Sequence, residues 1–314
     1  MIQDALVKKI NNAKCFEVLV DSTTDISVTE QVSLYARYMT QGDRSYSLRE
    51  DFLEFFPIKT TTGRNLGNHI LNALSSLGVD CSNLCGQGYD GASSMSGCFN
   101  GMQAVIKETN PAALYVHCSS HSLNLALMHA SNVPAIRNCL GTVKSVIKFL
   151  KKSAKRMDIF RRKVKEHLPK VKWNNLKPMC EARWVENHET LIRFAVSYIA
   201  IFETLEELKL DSDSNVSSIA SQLSKSMTGS SFIISLVTAL HLFIYTLTLC
   251  KNPQDPNCDL SDALDMVDNI VKTIKGIRKE VDSEFGNIFI KANSLVNLIS
   301  ESIKMPRVAL RQKH

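Results

Sequence analysis

The sequence predicts an α/β fold: a mixed sheet of three antiparallel strands followed by parallel βα units, and then a long all-helical region. Three observations predict it. Apolar residues alternate with polar ones in three successive runs before residue 57, joined by short polar links. Helical stripes and short strands then take turns to about residue 131. From Pro134 onward the apolar residues keep helical spacing throughout.

Residues 15–21 set Phe16, Val18 and Val20 against Glu17, Leu19 and Asp21. Residues 31–39 repeat the pattern, with Val32, Leu34, Ala36 and Tyr38 on one face. Residues 47–56 place Phe52, Glu54 and Phe56 opposite Leu53 and Phe55. Links at 27–30 and 41–45 are short and polar, so the three strands form an antiparallel meander. Leu66, Ile70, Leu74 and Leu77 then stand at helical spacing, with Gly78 as the C-cap. A short strand reaches Asp90, a helix near 101–108 stops at Asn110-Pro111, and a strand at 114–118 runs into a helix from about Ser120 to Ser131. The order β-β-β-α-β-α-β-α is that of an RNase H-like fold, which carries acidic residues at the ends of its first and fourth strands. Asp21 and Asp90 stand at those places.

In the helical region, Ile136, Leu140, Val143, Ile147 and Leu150 keep a 4-3-4-3 spacing. Leu191, Phe194, Tyr198, Phe202, Leu205 and Leu208 form a second stripe, and residues 211–218 read as a polar linker. Residues 231–250 contain no Asp, Glu, Lys or Arg and are long enough to span a bilayer. Interspersed Ser, Thr and His, with lysine on both flanks, favour a core helix over a membrane span. Asp259 is expected to cap a helix striped by Leu260, Leu264, Val267, Val271 and Ile274. A last helix carries Phe285, Phe289, Ala292, Leu295, Ile299 and Ile303. The expected divisions are a core at 1–133, basic and Arg-Trp helices at 134–208, and a helical insertion at 209–314.

The 314 residues are 44% hydrophobic and 22% charged, an ordinary globular balance, with a net charge of +6. That excess permits a polyanionic partner without requiring one. Nine scattered cysteines without a CxxC pair suit free thiols in a reducing compartment. The first fifteen residues lack the basic-then-apolar order of a signal peptide and read as a helix entered mid-stream, so a fragment or a degenerate gene copy is expected.

The chemistry-bearing candidates follow from residue type. Asp21 and Asp90 each close an apolar run and precede small residues; two such carboxylates suit a hard divalent cation, Mg²⁺ or Mn²⁺, or else simply turn the chain. Cys118 and His121 have CxxH spacing, half of a zinc site without a second pair nearby; a buried thiol and a helix-capping histidine is the plainer alternative. Arg183-Trp184 fits a core tryptophan beside a snorkelling arginine, or a stacking platform. Between Lys144 and Lys172 twelve lysines and arginines face Asp158 and Glu166 alone. That run, including Lys151, Lys152, Lys155, Arg156, Arg161 and Arg162, concentrates a phosphate-binding potential on one helix and its exit, or is a solvated helix face.

Four motifs in order give a resemblance: Asp21-Ser-Thr-Thr-Asp-Ile-Ser, Gly86-Gln-Gly-Tyr-Asp-Gly-Ala-Ser-Ser-Met-Ser-Gly, Tyr115-Val-His-Cys-Ser-Ser-His-Ser-Leu-Asn-Leu-Ala and Ala182-Arg-Trp. Together they resemble the transposase domain of the hAT superfamily, nearest to the domesticated vertebrate branch related to zinc finger MYM-type protein 1. The resemblance implies an RNase H-like core interrupted by a large helical insertion, with the completion of the core missing here. It implies Asp21 and Asp90 as the first two of three metal-holding acidic residues, the third, a glutamate, being expected beyond His314. It further implies a structural or DNA-proximal role for Cys118 and His121, and a base-stacking role for Trp184 beside Arg183. The chain departs from the pattern at Ser22, Ser94 and Ala182, where relatives carry Glu, Asn and usually Thr.

The expectation is therefore a domesticated or degenerate hAT transposase-like protein, nuclear, weakly and non-specifically DNA-associated, without cleavage activity and without a firm cofactor. The alternative is an interaction scaffold in which the helical insertion binds other proteins or another copy. An active metal-dependent nuclease ranks last. No membrane association is expected.

Overall fold

The computed structural model describes residues 2–24, 29–42, 45–58, 60, 62–180, 184–251 and 260–304. Its described residues divide into two compact units, one up to Leu123 and one from Asn124 on.

In the first unit, α1 (Ile2–Asn12) precedes β1 (Phe16–Thr24), β2 (Glu30–Gln41) and β3 (Tyr46–Ile58). Then come α2 (Gly63–Leu77), β4 (Leu84–Tyr89), α3 (Ser93–Ser96), α4 (Met102–Thr109) and β5 (Leu114–His117). The five strands lie in the order β3-β2-β1-β4-β5. β1–β2 and β2–β3 pair antiparallel, whereas β1–β4 and β4–β5 pair parallel. This is the mixed sheet that the alternation predicts.

One sheet face carries the core: Phe16, Val18, Val20, Val32, Leu34 and Ala36 pack with Ile10 of α1 and with Leu66, Ile70 and Leu74 of α2. Burial of such side chains contributes about 1.5–3 kcal/mol each relative to leaving them exposed. Gly78 ends α2 at φ 80°, its N–H reaching Leu74 and Ser75 carbonyls, as expected of a C-cap.

On the other face Arg37 bridges Glu17 and Glu50 across three strands. β3 departs there from simple alternation. Leu34 pairs with Glu54 and Tyr35 with Phe52, so Leu53 is the extra residue of a β-bulge. The bulge buries Leu53 and brings Phe52 and Phe55 to the same face, with ring centroids 4.6 Å apart. The expectation of Phe52 and Phe55 on opposite faces is corrected accordingly.

The division between units falls within α5 (Ser119–Ala130). The second unit holds α6 (Pro134–Lys151), α7 (Ala154–His167), α8 (Trp184–Val196), α9 (Tyr198–Leu208) and α10 (Ser214–Met227). It continues with α11 (Ser230–Lys251), α12 (Leu260–Lys279) and α13 (Val281–Asn297). Its own core joins Val143, Ile147 and Leu150 to Phe160, Phe194, Tyr198, Leu205, Ile233 and Leu236. Tyr198 donates from its hydroxyl to the Met227 carbonyl at 2.9 Å, tying α9 to the end of α10.

Three boundaries differ from expectation. The stripe at 191–208 is two helices, broken at Ser197, and Ile201 rather than Phe202 is its fully buried member. Most of the polar stretch 211–218 is helix, because the Asp213 carboxylate accepts from the Asn215 and Val216 N–H groups and caps α10. The basic run spans two helices rather than one, since Ser153 is extended (φ −139°, ψ 133°).

α11 is long and apolar enough to cross a membrane by length and composition alone. Phe232, Ile233, Leu236, Val237 and Ala239 in its first half are buried. The expected Asp259 cap lies outside the described residues.

Candidate functional site

The first unit carries a row of candidate polar residues just past its strand pairings. β1 and β4 pair as Glu17 with Gly86 and Leu19 with Gly88. β4 and β5 pair as Gly88 with Val116 and Tyr89 with His117. The first pairing ends two residues before Asp21 and Asp90, and the second one residue before Asp90 and Cys118. The Cys118 N–H donates to the Tyr89 carbonyl at 3.0 Å.

Two glycines keep the row approachable. A Cβ on Gly86 would stand 2.9 Å from Glu17 Cβ, and one on Gly88 2.8 Å from Leu19 Cδ2. Side chains of β1 thus occupy the space over β4, and no side chain of β4 rises in front of Asp90 until Asp90 itself.

Asp21 is exposed within β1, which runs on to Thr24 beside β2 while β4 has already ended. It therefore does not close its strand as expected; it marks the level where the parallel neighbour stops. Asp90 is half-buried and accepts from the Ala92 N–H at 3.0 Å through Oδ1, an Asx-type turn. The Tyr115 hydroxyl donates to the Asp90 carbonyl at 3.0 Å. Burial, then the charge of Asp90, raise the Tyr115 pKa and keep the phenol protonated.

Sequence reasoning missed His117. Its ring packs under Gly91, where an added Cβ would lie 2.6 Å from Cε1. It stacks at 6.5 Å on Tyr115 and stands 5.6 Å from His121. Its place in the strand run at 114–118 gave no signal of its own in the sequence. Cys118 is exposed, which removes the buried-thiol alternative.

As ligands, Asp21 and Asp90 offer oxygen, which suits a hard cation, whereas a Cys118 thiol does not. Among the described residues no group of three ligand atoms within 4.8 Å includes either aspartate. By ligand type alone, Mg²⁺ or Mn²⁺ would take both carboxylates only as part of a larger oxygen set. The one group of three is Glu166, His167 and Glu203 in the helical unit. There Lys163 Nζ already sits 2.9 Å from Glu203, and His167 Nε2 lies 2.9 Å from the same carboxylate without hydrogen-bond alignment. Burial raises the Glu203 pKa, but the His167 and Lys163 contacts outweigh it and hold the carboxyl below its ordinary value. An ammonium occupies the place that a cation would take.

The first unit has a counterpart among known protein families. Residues 1–101 match the family described as DUF4371, the ZMYM1/FAM200 RNase-like domain. Beyond that RNase-like part, the whole chain is similar to the 52 kDa repressor of the inhibitor of the protein kinase. The human protein is 21% identical over 318 residues, covering 97% of this chain and 40% of its own length. The mouse protein is 21% identical over 318 residues, covering 97% and 41%. The chain spans about two fifths of the length of these curated relatives. The match to the ZMYM1/FAM200 model agrees with the branch that the four motifs resemble.

Outside the RNase-like part, the basic run is placed by α6, α7 and the segment 168–172. Lys151 Nζ reaches the Leu176 carbonyl at 3.5 Å, and Arg156 lies 4.2 Å over the Phe149 ring. Three cations of the run are paired: Lys155 with Asp211, Arg162 with Glu207 and Lys163 with Glu203. These carboxylates lie on α9 or just after it, against which α7 packs, a neutralisation invisible in the linear run. Lys148, Lys152, Arg161, Lys165, Lys170 and Lys172 are exposed and make no ion pair among the described residues. Arg161 instead donates to Asn175 Oδ1 at 3.1 Å.

Arg183 lies outside the described residues, and Trp184 is described only as the first residue of α8. The tryptophan whose side chain is placed is Trp173, which sequence reasoning passed over. It follows Lys172 directly, and that adjacency was the available signal.

Proposed function

We propose that this chain is a transposase-derived nucleic-acid-binding protein that has kept the RNase-like scaffold without its cutting chemistry, and that it works in the nucleus. One observation carries the reading: six exposed cations without an ion pair among the described residues stand on α6, α7 and 168–172, against the exposed Asp158 and Glu166. Such a surface binds phosphates by releasing condensed counterions, so affinity falls steeply with salt and depends little on base sequence. The loss of cutting rests on the Asp21–Asp90 pair, which gathers no third ligand among the described residues. The test is DNA affinity measured across a salt series. Reversing Lys148, Lys152, Lys165 and Lys170 to Glu abolishes most binding and flattens the salt slope by roughly one unit for each phosphate no longer neutralised. A wild-type affinity that is flat in salt overturns the reading.

A second reading, self-association, is favoured by α12. Ala263, Met266, Ile270 and Ile277 are half-buried on its inner side, where α12 packs on α11 and α13. Leu264, Val267, Val271 and Ile274 form a second stripe that is 61%, 42%, 41% and 41% exposed. Asp262, Asp265 and Asp268 occupy the first half of the helix, and Lys272, Lys275, Arg278 and Lys279 the second. An antiparallel pairing of two copies sets each acidic half on a basic half, as a twofold, self-complementary interface requires. The occupant of this stripe is a second copy of the chain.

A further inference from the structure

We infer that the cavity beside Trp173 receives one unstacked base of a single DNA strand, with the flanking phosphates held by Arg161, Lys165 and Lys172; this deepens the nucleic-acid reading above and rests on it. The cavity encloses about 410 Å³ and lies between the outer face of α7 and the turn that follows it. Its walls include Asp158, Arg161, Arg162, Lys165, Lys172 and Trp173. The volume falls in the ordinary range of small-ligand sites, roughly 300–1,000 Å³.

The indole is held in place from elsewhere. The Arg193 guanidinium of α8 stands 5.3 Å over its ring and takes no part in the cavity wall. The segment after Trp173 is fixed to α8: Asn187 exchanges two 2.8 Å hydrogen bonds with the Cys180 backbone, the Thr190 hydroxyl donates to the Pro178 carbonyl, and Lys177 pairs with Glu189. Arg161 is braced by Asn175 of the same segment and Arg162 by Glu207. The site therefore has an aromatic plate of fixed orientation and cations whose stems are anchored.

That composition selects its ligand. Every base offers a π-face to an aromatic plate, but only an unstacked base can present it, which excludes an intact duplex. Lys165 and Lys172, exposed and without carboxylate partners, suit phosphates on either side. Asp158, an acceptor, suits an N–H donor on the base edge, such as the N3–H of thymine.

The experiment uses the whole chain with Trp184→Phe, which leaves Trp173 as the sole tryptophan and its emission as the reporter. The titrants are a thymidine oligonucleotide, a duplex of equal length and thymidine monophosphate. The oligonucleotide quenches Trp173 saturably, the duplex binds without quenching, and the mononucleotide binds far more weakly. Trp173→Ala lowers single-strand affinity roughly 5- to 150-fold, the range of one base-stacking interaction, and leaves duplex affinity within about twofold. Trp173→Phe, which retains a plate, keeps most of the affinity. Binding of strand and duplex alike with unchanged Trp173 emission overturns this site while leaving the basic surface standing. Absence of binding to either form at low salt overturns the surface and the site together. Tighter binding of the mononucleotide than of the oligonucleotide overturns the assignment to a strand.

Discussion

Glu17 and Leu19 decide what β4 is allowed to be. Both lie over the strand at Gly86 and Gly88, but they restrict it differently. At Gly86 the nearest neighbour of an added methyl is Glu17 Cβ, which cannot move without β1; at Gly88 it is the tip of Leu19, which can rotate. Gly86→Ala is therefore expected to cost about 1–3 kcal/mol, as overpacking does, and Gly88→Ala distinctly less. Urea unfolding of the two variants measures the difference; equal losses would show that β1 yields as readily as a side chain tip. Asp21 and Asp90 were legible as a pair, since each ends an apolar run. Where their strands stop pairing was not, because it depends on the offset of two parallel strands joined through the whole of β2, β3 and α2. His117 was passed over for the opposite reason: a lone histidine in a strand carries no meaning until Gly91 is seen to leave room for its ring.

At the scale of elements, periodicity found the strands and helices and misplaced their seams. The α8–α9 stripe continues in phase through Ser197, so apolar spacing alone could not register the break; the Ser197 hydroxyl, donating to the Arg193 carbonyl at 2.7 Å, marks it instead. The first turns of α10 read as a linker because polar residues dominate, although Asp213 at its start is a good cap. α12 was legible as a helix, but the stripe that its spacing picks out, Leu264, Val267, Val271 and Ile274, is the exposed one. The expected consequence is a concentration-dependent dimer seen by sedimentation. Val267→Asp dissociates it. Lys272→Glu with Lys275→Glu weakens it, and adding Asp265→Lys with Asp268→Lys restores it, because the swapped halves are again complementary in the antiparallel sense. A wild-type chain that stays monomeric at every concentration, or a swap that restores nothing, excludes the pairing.

For the whole molecule, the two units divide the chemistry. The Asp21–Asp90 pair lies in the sheet unit and the basic run in the helical unit, a separation the linear charge map already hinted at between Lys144 and Lys172. What it did not show was that carboxylates on and just after α9 pair with Lys155, Arg162 and Lys163 of that run. Phosphoryl transfer requires metals bridging attacking and leaving oxygens in a complete ligand set. With one Asp90 oxygen engaged by Ala92 and no third ligand gathered among the described residues, supercoiled DNA incubated with Mg²⁺ or Mn²⁺ is expected to remain un-nicked. Nicking that Asp21→Asn and Asp90→Asn each abolish would restore the nuclease reading.

The bulge in β3 also settles a question of parity. A regular strand spends two residues to return to the same side, so rings three positions apart face opposite ways. By taking three residues over a span of two at Leu53, β3 changes from odd to even in mid-strand, gains one more aliphatic side chain for the core and stays paired with β2 on both sides of the bulge. The outer surface of the sheet consequently shows Tyr35, Phe52 and Phe55 as one continuous aromatic plate, 5.4 and 4.6 Å from ring to ring, where uninterrupted alternation would have divided them between two sides.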